Sequence, residues 1–403
     1  MPDPPDHCEI DHCEMDHRAI DHRLAVKQSL SRHLRKILGL SHKIHAHPEL
    51  AFEEVQACEW TSQLLEAHGF TVARGIGELP TAFAAELGPG PLTIVLCAEY
   101  DALPGIGHAC GHNIIAASAA GAAVALAPIA ADLGVKIKVL GTPAEEAGNA
   151  GGKILLLERG AFLRTHAALM VHPAPFDAID AEYCAAAAYT VEYRAPRRPA
   201  VPRASVSPGD ALTVAQVAIG LLREHIGPYE RIHGVATHCG AAANVLPESV
   251  AASYIVRARY LCDVQRLSAR VMACFEAGAT AAGCTLSVTG GDKPYAEMRP
   301  DREMLALYKT NAERLGRTFT DRGRQLSAGA STDMGNVSQT IPSIHPCIGI
   351  GSYPAVNHQP EFAACCVTAR ADRAVHDGAL ALAWTILDMA GIPPVRERLL
   401  ARD

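Results

Sequence analysis

Short apolar runs alternate with longer amphipathic stretches over the first half of the chain. Residues 92–100, 135–143 and 167–173 contain short apolar runs bounded by turn residues, which is typical of buried strands. Helical patterns at 112–130 and 152–164 separate these runs. Strand, helix, strand, helix and strand in this order predict an α/β fold with a mostly parallel sheet.

The pattern on either side of this layer predicts further helices and a second domain. A helical pattern covers 24–70 before the first strand, and helices are predicted again at 303–315 and 368–390. In between, strands and helices follow one another in a different order, starting with a strand at 189–195. This organisation predicts a tail at 1–23, a main domain formed by 24–187 and 297–403, and a smaller α+β domain inserted at 188–296.

The first 23 residues contain a five-residue repeat in which DHCEI, DHCEM, DHRAI and DHRLA follow one another. A period of five residues matches neither a helix nor a strand. We therefore predict a low-complexity His/Asp tail outside the folded domains. Tracts rich in His, Cys and Asp can also bind metal adventitiously.

Composition narrows the class of protein. The chain of 403 residues is long enough for two hydrophobic cores, and its net charge of −7 argues against a nucleic-acid partner. We expect no membrane span, because the longest apolar stretch, at 114–131, is rich in small residues and typical of a buried core helix. Thirteen cysteines without a secretory signal indicate reduced thiols and a cytoplasmic location.

Side chains suited to metal binding follow each of the three predicted strands. The carboxyl ends of parallel strands share one edge of a sheet, so these side chains are expected to meet there. Thiolate, imidazole and carboxylate together are typical ligands of zinc and related metals. Two adjacent glutamates can also supply both a ligand and a base beside a metal-bound water. The residues are Glu99, Asp101, Cys110, His112, Glu145, Glu146 and His172.

These residues also have structural explanations. Cys110 could be a small buried apolar side chain, as free cysteines often are. Glu145 and Glu146 could be the acidic residues of a helix N-terminus. The other histidines near these motifs are expected to be structural or exposed, namely His108, His233, His238 and His345.

Several longer motifs carry a resemblance to one family. They are HAHPEL, EYDALPGIGHACGHN, GTPAEEAGNAGGK, MVHPAP, NVLPESV, STDMGNVSQTIPSIHP and VNHQPEF. With these motifs the chain resembles the metallohydrolases of peptidase family M20, and the resemblance covers about residues 34–390. Within that family it is most similar to the amidohydrolase branch with a bridging cysteine, and to the dipeptidase-like group that includes p-aminobenzoyl-glutamate hydrolase subunits.

The resemblance implies a site with two divalent metal ions. Zinc is favoured, and manganese, cobalt and nickel are alternatives. Cys110 is implied to bridge the two metals, Glu145 to be the general base, and Asp101 to orient a ligand. The remaining implied ligands are His112, Glu146, His172 and His358.

The resemblance also implies residues that contact the substrate. Asn244 in NVLP corresponds to a residue of the inserted domain that contacts the substrate carboxylate. The loop with Ser331, Thr332 and Asp333 is implied to line the pocket.

One part of the resemblance fails in the inserted domain, which in this family is a lid that also forms the dimer. The family's lid supplies a histidine for the oxyanion of the tetrahedral intermediate, but YRAPRRPAVPRAS contains none, and Pro199 stands about where it is expected. Loss of one oxyanion donor typically costs about 100- to 1000-fold in rate. Arg197 or Arg198 could donate instead. His233 or His238 could do so, or the protein could be something other than an ordinary hydrolase.

The sequence therefore predicts metal-dependent hydrolysis of an amide in a dipeptide, an N-acyl amino acid or an aminobenzoyl-glutamate-like compound. The expected partners are this small substrate with its carboxylate and a second copy of the chain bound through the lid, with neither nucleic acid nor membrane. Two alternatives are an amide-forming or transferring biosynthetic enzyme and a catalytically silent metal- or ligand-binding protein. The retained Glu145 argues against the silent protein, because binding alone needs no base.

Overall fold

A computed structural model describes residues 8–196, 206–242, 244–321 and 329–402, with side chains from residue 21 onward. Its strands are β1 (Thr71–Arg74), β2 (Phe83–Leu87), β3 (Leu92–Ala98), β4 (Val135–Gly141), β5 (Ala167–Leu169), β6 (His172–Ala174), β7 (Ala185–Arg194), β8 (Arg231–His238), β9 (Ser249–Ala258), β10 (Thr285–Gly290), β11 (Ser343–Ile344) and β12 (Cys347–Gly349). Its helices are α1 (Cys8–Ala46), α2 (Val55–Glu66), α3 (His112–Leu126), α4 (Gly152–Glu158), α5 (Pro208–Arg223), α6 (Leu261–Ala282), α7 (Arg302–Arg314), α8 (Met334–Ser338), α9 (Pro360–Cys365), α10 (Ala369–Gly391) and α11 (Pro393–Leu400).

The larger sheet has six strands in the order β1-β2-β4-β3-β5-β11. Strands β4, β3, β5 and β11 run parallel, while β2 is antiparallel to β4 and β1 is antiparallel to β2. Every residue of β3 is buried, as expected for a strand covered on both faces. The predicted α/β fold with a mostly parallel sheet is confirmed. The sequence pattern missed β1 and β2, which form the antiparallel edge.

Helix α3 is the centre of the helical layer beside this sheet. All of its residues are buried, and its small side chains let α1 and α10 approach closely. A Cβ added at Gly121 would lie 3.0 Å from the Cβ of Ala379 and 3.3 Å from Cγ2 of Ile37. Residues 112–129 are long and apolar enough to cross a membrane, but 89% of this stretch is buried inside the protein. The helix is therefore packed as the core helix that its composition predicts.

Residues 185–290 contain a second, antiparallel sheet in the order β10-β7-β9-β8. Burial alternates along β9, where Val250, Tyr254 and Val256 are among the buried residues. These side chains pack with α5 and α6 into a core separate from that of the larger sheet. The alternation arises because the two helices cover only one face of this sheet.

The N-terminal repeat differs from its prediction. Helix α1 begins at Cys8 and runs through the repeat to Ala46, so the expectation of neither helix nor strand was wrong. A helix requires only compatible backbone angles and residues with adequate helix propensity, such as Glu, Met, Arg, Ala and Leu, and it does not require a matching repeat period. Further along the same helix, Val26, Leu30 and Ile37 are buried in the main core.

No disulfide is formed among the eleven cysteines whose side chains the structure describes, from Cys58 to Cys366. Several of their thiols are packed among apolar side chains instead. Burial raises the pKa of Cys97 to about 12 and that of Cys366 to about 12, so both are neutral packing groups near pH 7. The reduced state of the thiols and the cytoplasmic location both stay predictions.

Candidate active site

The side chains predicted to bind metal meet at the carboxyl edge of the larger sheet. Asp101 follows β3, the short 3-10 helix Glu145–Ala147 follows β4, and His172 opens β6 just after β5. Cys110 lies in the loop before α3, and His112 is the first residue of that helix. Three sets of potential metal ligands each have their atoms within 4.8 Å of one another: Cys110, His112 and His172; Cys110, Glu146 and His358; and His112, Glu145 and Glu146.

The turn at Gly111 explains how both Cys110 and His112 reach the site. Gly111 has a φ of 77°, a left-handed conformation that glycine adopts without steric cost. A Cβ at this position would lie only 2.5 Å from Cγ of Pro173. The turn is therefore packed directly against the residue that follows His172, which brings the two segments together.

Four side chains form two close pairs. Sγ of Cys110 lies 3.4 Å from Nε2 of His172, and Nε2 of His358 lies 3.3 Å from Oε1 of Glu146. His358 has a φ of 68°, which is uncommon for a residue other than glycine and often found at functional sites. Its backbone N–H donates to the carbonyl of Ala109 at 2.8 Å. This hydrogen bond joins the His358 loop to the turn that carries Cys110.

Asp101 supports two elements of the site at once. Its Oδ1 lies 2.8 Å from Nδ1 of His112, and its Oδ2 accepts the backbone N–H of Glu146 at 2.9 Å. With Nδ1 held in this way, Nε2 of His112 faces the site, as in most histidine ligands. His172 is oriented similarly, because its Nδ1 lies 2.8 Å from the carbonyl oxygen of Pro173. The geometry fits the orienting role implied for Asp101.

The buried Nε2 of His112 makes no hydrogen bond to any residue that the structure describes. Carboxylate oxygens surround it at distances too long for hydrogen bonds: Glu99 at 3.5 Å, Glu146 at 3.9 Å and Glu145 at 4.0 Å. Buried polar atoms are nearly always satisfied, so an orphaned nitrogen among anions indicates room for a cation. Thiol, imidazole and carboxylate donors together suit zinc or a related ion. The residues therefore fit the predicted metal.

Burial sets the protonation of two potential ligands. It raises the pKa of the Cys110 thiol well above its usual value, and the charge of Glu146 raises it further. Burial lowers the pKa of His172 to about 4, so its imidazole is neutral near pH 7 and can donate a lone pair. A bound divalent cation displaces the proton of a coordinating thiol. Cys110 is thus expected to become a thiolate when a metal ion binds.

Glu145 is a buried carboxyl whose backbone is held firmly. Burial raises its pKa well above the usual value, and the charges of Glu99 and Glu146 raise it further. The hydroxyl of Tyr295 donates to the main-chain carbonyl of Glu145 at 2.6 Å and accepts the N–H of Gly148 at 3.2 Å. A well-positioned carboxyl with a raised pKa is suited to accepting a proton and passing it on.

A cavity of about 410 Å³ opens over these residues, which is a typical size for a small-molecule site. Arg257 of β9 lines it together with Glu145 and His358. The Nη1 of Arg257 donates to Oγ of Ser331 at 2.6 Å and to the carbonyl of Gly329 at 3.3 Å. Both partners are neutral, and a guanidinium has five N–H donors. Among the residues that the structure describes, the Arg257 guanidinium therefore keeps donors without a partner at the border of the cavity.

The predicted substrate-binding residues have different outcomes. Ser331 and Thr332 line the cavity, and their contact with substrate stays a prediction. Asp333 does not face it, because this residue is fully buried and paired with Lys153. Asn244 lies exposed between β8 and β9 and is not among the lining residues.

The missing lid histidine has no replacement among the candidates that the structure describes. Arg197 and Arg198 lie outside the described residues. His233 and His238 are exposed on β8 and do not line the cavity. His345, expected to be structural, does line it and is buried, with its ring centroid 5.4 Å from that of His172.

Sequence reasoning missed two charged residues of the site, Arg257 and Lys153. Arg257 occurs in an alternating strand pattern, SYIVRARY, where a charged residue normally faces solvent. Lys153 belongs to GTPAEEAGNAGGK, and its position directly after two glycines was the available signal. Such glycines indicate a close approach of two backbones, although they do not reveal which groups approach.

Comparison with known proteins gives consistent matches. A family model described as peptidase family M20/M25/M40 matches residues 95–375. The Xaa-Arg dipeptidase of Mus musculus is 37% identical over 376 residues, which cover 89% of this chain and 86% of that protein. A p-aminobenzoyl-glutamate hydrolase subunit of Escherichia coli is 30% identical over 308 residues, or 70% of this chain and 63% of that protein. The solved YXEP protein of Bacillus subtilis, titled a dinuclear metal binding peptidase from the M20 family, matches with a TM-score of 0.60 and 20% identity over 88% of this chain and 99% of that one.

Proposed function

The chain belongs to peptidase family M20/M25/M40, which confirms the resemblance of its motifs and makes it a hydrolase of peptide or amide bonds. We propose that its substrate is a small amide with a free carboxylate. A dipeptide, an N-acyl amino acid or an aminobenzoyl-glutamate-like compound has these features. The observation that carries the proposal is the position of Glu145 and Arg257 around one cavity with the cluster of potential metal ligands. The amide would be hydrolysed beside the potential metal ligands and Glu145, and Arg257 would bind the substrate carboxylate.

The metal is proposed to be a pair of divalent ions, with zinc favoured over manganese, cobalt and nickel. Cys110 would be shared by the two ions, in keeping with its place in two of the four sets of potential ligands. A solved relative titled a dinuclear metal binding peptidase supports this number. When bound, such ions polarise a carbonyl group and lower the pKa of a bound water to about 7. The other ligands would be His112, Glu146, His172 and His358.

Glu145 is proposed to move the proton during hydrolysis. Its carboxylate would accept a proton from the attacking water and then donate it to the nitrogen of the leaving amine. The raised pKa of Glu145 favours holding this proton between the two steps. Asp101 would keep His112 and the backbone of Glu146 in place through the reaction.

Arg257 is proposed to bind the substrate carboxylate. A guanidinium forms paired, charge-assisted hydrogen bonds with a carboxylate, and two neutral partners already fix the direction of Arg257. Because the Arg257 side chain projects from the second sheet, binding a substrate would connect that sheet to the metal-binding edge of the first.

A homodimer through the second sheet is also proposed. Strand β8 lies at the edge of that sheet and is exposed along nearly its whole length. Val235 on β8 and Val217 and Leu221 on α5 are large exposed apolar residues. Exposed strand edges with apolar neighbours commonly pair with a second chain. Light scattering after size-exclusion chromatography tests this, because a monomer at micromolar concentration contradicts it.

Amide hydrolysis by the metal-reconstituted protein tests the proposed function. We would incubate the protein with dipeptides and N-acyl amino acids, follow the products by mass spectrometry, and run Glu145→Gln in parallel. Turnover that disappears in this variant supports the proposal. Glu158→Gln is a matched control, because Glu158 pairs with Lys293 away from the cavity. If wild-type protein holding two metal ions hydrolyses none of these amides, the amide-forming and binding alternatives are favoured.

Arg257 has its own test, which compares each substrate with its C-terminal amide. Wild-type protein is expected to prefer the free acid. Arg257→Gln is expected to raise KM for the acid by about 10- to 100-fold, because a hydrogen bond between charged groups contributes about 1.5–3 kcal/mol, and to leave KM for the amide nearly unchanged. Arg259→Gln is the control, because Arg259 stacks over Tyr229 and Tyr260 and does not line this cavity. An equal effect of Arg257→Gln on acid and amide would contradict the role.

A further inference from the structure

Lys153 is a fully buried lysine directly beneath the proposed metal site. Its Nζ lies 2.5 Å from Oε1 of Glu99 and 2.5 Å from Oδ1 of Asp333, and all three side chains have no exposed surface. Lysine is almost never fully buried unless it is paired. The ammonium between two carboxylates is therefore a buried, doubly paired charge and not a surface ion pair.

The local backbone is built to bring these groups together. Gly151 and Gly152 precede Lys153, and a Cβ on Gly151 would lie 2.6 Å from Oδ2 of Asp333, while one on Gly152 would lie 2.0 Å from the carbonyl oxygen of Pro143. The backbone N–H of Lys153 also donates to Oδ2 of Asp333 at 2.9 Å. Asp333 thus holds Lys153 by both its main chain and its side chain.

Without the ammonium, this position would resemble a metal site. Carboxylate oxygens of Glu99, Glu145 and Asp333 lie within 4.8 Å of one another, and three carboxylates at such distances are a typical oxygen-ligand set for a divalent cation. Glu145 belongs to this set as well as to a set with His112 and Glu146. A cation bound by the three carboxylates would take Glu145 as a ligand and remove it as a base.

We propose that Lys153 is a built-in cation, whose ammonium takes the place of an additional metal ion between Glu99 and Asp333 and so keeps Glu145 free for proton transfer. Lys153 is thus a positioning residue. A covalently attached ammonium stays in ion-pair contact with both carboxylates, whereas a metal ion in the same place would exchange with solvent and compete for Glu145. It also holds Glu99 by Oε1, which leaves Oε2 at 3.5 Å from Nε2 of His112. This inference rests on the metal site of the proposed function.

The number of Co²⁺ ions bound per chain tests the inference. Full-length wild type, Lys153→Met and Lys153→Arg would be stripped of metal, titrated with Co²⁺ by calorimetry, and analysed for cobalt after gel filtration. We expect Lys153→Met to bind one ion more than wild type, and Lys153→Arg to bind the same number as wild type. The double variant Lys153→Met, Glu145→Gln is expected to lose the additional ion. Any binding by the N-terminal His/Asp repeat is common to all variants and cancels in the difference.

A merely structural role of Lys153 would lower the melting temperature without changing the metal count. Equal counts in Lys153→Met and wild type would therefore overturn the inference. If Lys153→Met does not fold without metal, the number of Co²⁺ ions bound per chain is measured after refolding in Co²⁺ instead. A refolded variant that binds no more ions than wild type, or a variant that does not refold, also overturns the inference. If wild type itself binds no Co²⁺ outside the repeat, the proposed metal site fails instead, so the two failures can be told apart.

Discussion

Replacing Asp101 with asparagine is the most informative single change in this site. Oδ1 of Asp101 lies 2.8 Å from Nδ1 of His112, and Oδ2 accepts the backbone N–H of Glu146 at 2.9 Å. Asparagine has nearly the same shape but only one acceptor oxygen. One of the two donors must therefore face the NH2 group of the new side chain, in a place where Asp101 is only 1% exposed.

The cost follows from these contacts. A hydrogen bond to a charged group contributes about 1.5–3 kcal/mol, and an unsatisfied buried donor costs about 1–3 kcal/mol. Because the two figures describe overlapping losses, we expect Asp101→Asn to lower the free energy of unfolding of the metal-free protein by about 2–3 kcal/mol. Loss of a partner that orients a metal ligand typically weakens metal affinity by about 10- to 100-fold. We therefore expect Asp101→Asn to bind Zn²⁺ about 10- to 100-fold more weakly than wild type.

Urea unfolding of the metal-free protein and Zn²⁺ competition with a fluorescent chelator measure the two effects. Asp372→Asn is a matched control, because Asp372 also bonds a histidine, His42, at 2.7 Å, but on the surface with 44% of the histidine side chain exposed. Exposed pairs contribute only about 0–1 kcal/mol, so this control is expected to behave almost like wild type. Zn²⁺ affinity and urea midpoint in Asp101→Asn that equal those of the control would refute the reasoning.

Three further predictions concern the same site. In thermal unfolding, Gly111→Ala is expected to destabilise the protein more than Gly105→Ala. Both glycines have a positive φ, which costs about 1–2 kcal/mol for alanine, but of the two only a Cβ at Gly111 would meet another residue, Pro173 at 2.5 Å. Equal losses of stability in the two variants would contradict the packing argument. Burial places the pKa of Cys110 well above its usual value, so the thiol is protonated at neutral pH and metal binding must release its proton. Zn²⁺ affinity is therefore expected to rise with pH, by up to about tenfold per pH unit for each proton released. Cys110→Asp is expected to reduce this slope by about one proton between about pH 6 and 8, and an unchanged slope would contradict thiol ligation. Removal of metal by a chelator is expected to lower the melting temperature, because ligand at about 100 times its Kd stabilises a protein by about 2.7 kcal/mol, and Zn²⁺ but not Mg²⁺ is expected to restore it, since Mg²⁺ disfavours sulfur and nitrogen ligands.

The sequence by itself determined the class of fold and most of the potential metal-binding side chains that meet in the site. Strand β3 could be predicted because a short, mainly apolar run bounded by turn residues is typical of a buried strand, and α10 because its apolar residues recur at the helical period. The chemistry was visible because Cys110, Glu145 and His172 each follow a strand of one parallel sheet, whose topology brings their positions together. Local pattern and a general rule of topology were enough for these residues.

Other parts of the site depended on tertiary contacts that no local pattern encodes. Arg257 and Lys153 are both charged residues, and charge alone predicts a solvated surface. Arg257 borders the cavity because the second sheet lies beside the first, and Lys153 is buried because Asp333, 180 residues away, accepts both its backbone and its side-chain hydrogen bonds. Asp333 was expected to contact substrate because the local sequence does not show its actual partner. That partner is the buried ammonium of Lys153, which belongs to a distant segment of the chain.

The division between the two kinds of information has a physical cause. Burial of apolar residues and the periods of helices and strands act within about ten residues, so they leave a mark in the sequence. The environment of a charged group depends on which distant groups surround it, because its free energy is set by desolvation and by the partners that offset it. The sequence therefore determined which potential ligands the site contains, while the tertiary structure alone decided which charges are paired beneath it and which border the cavity.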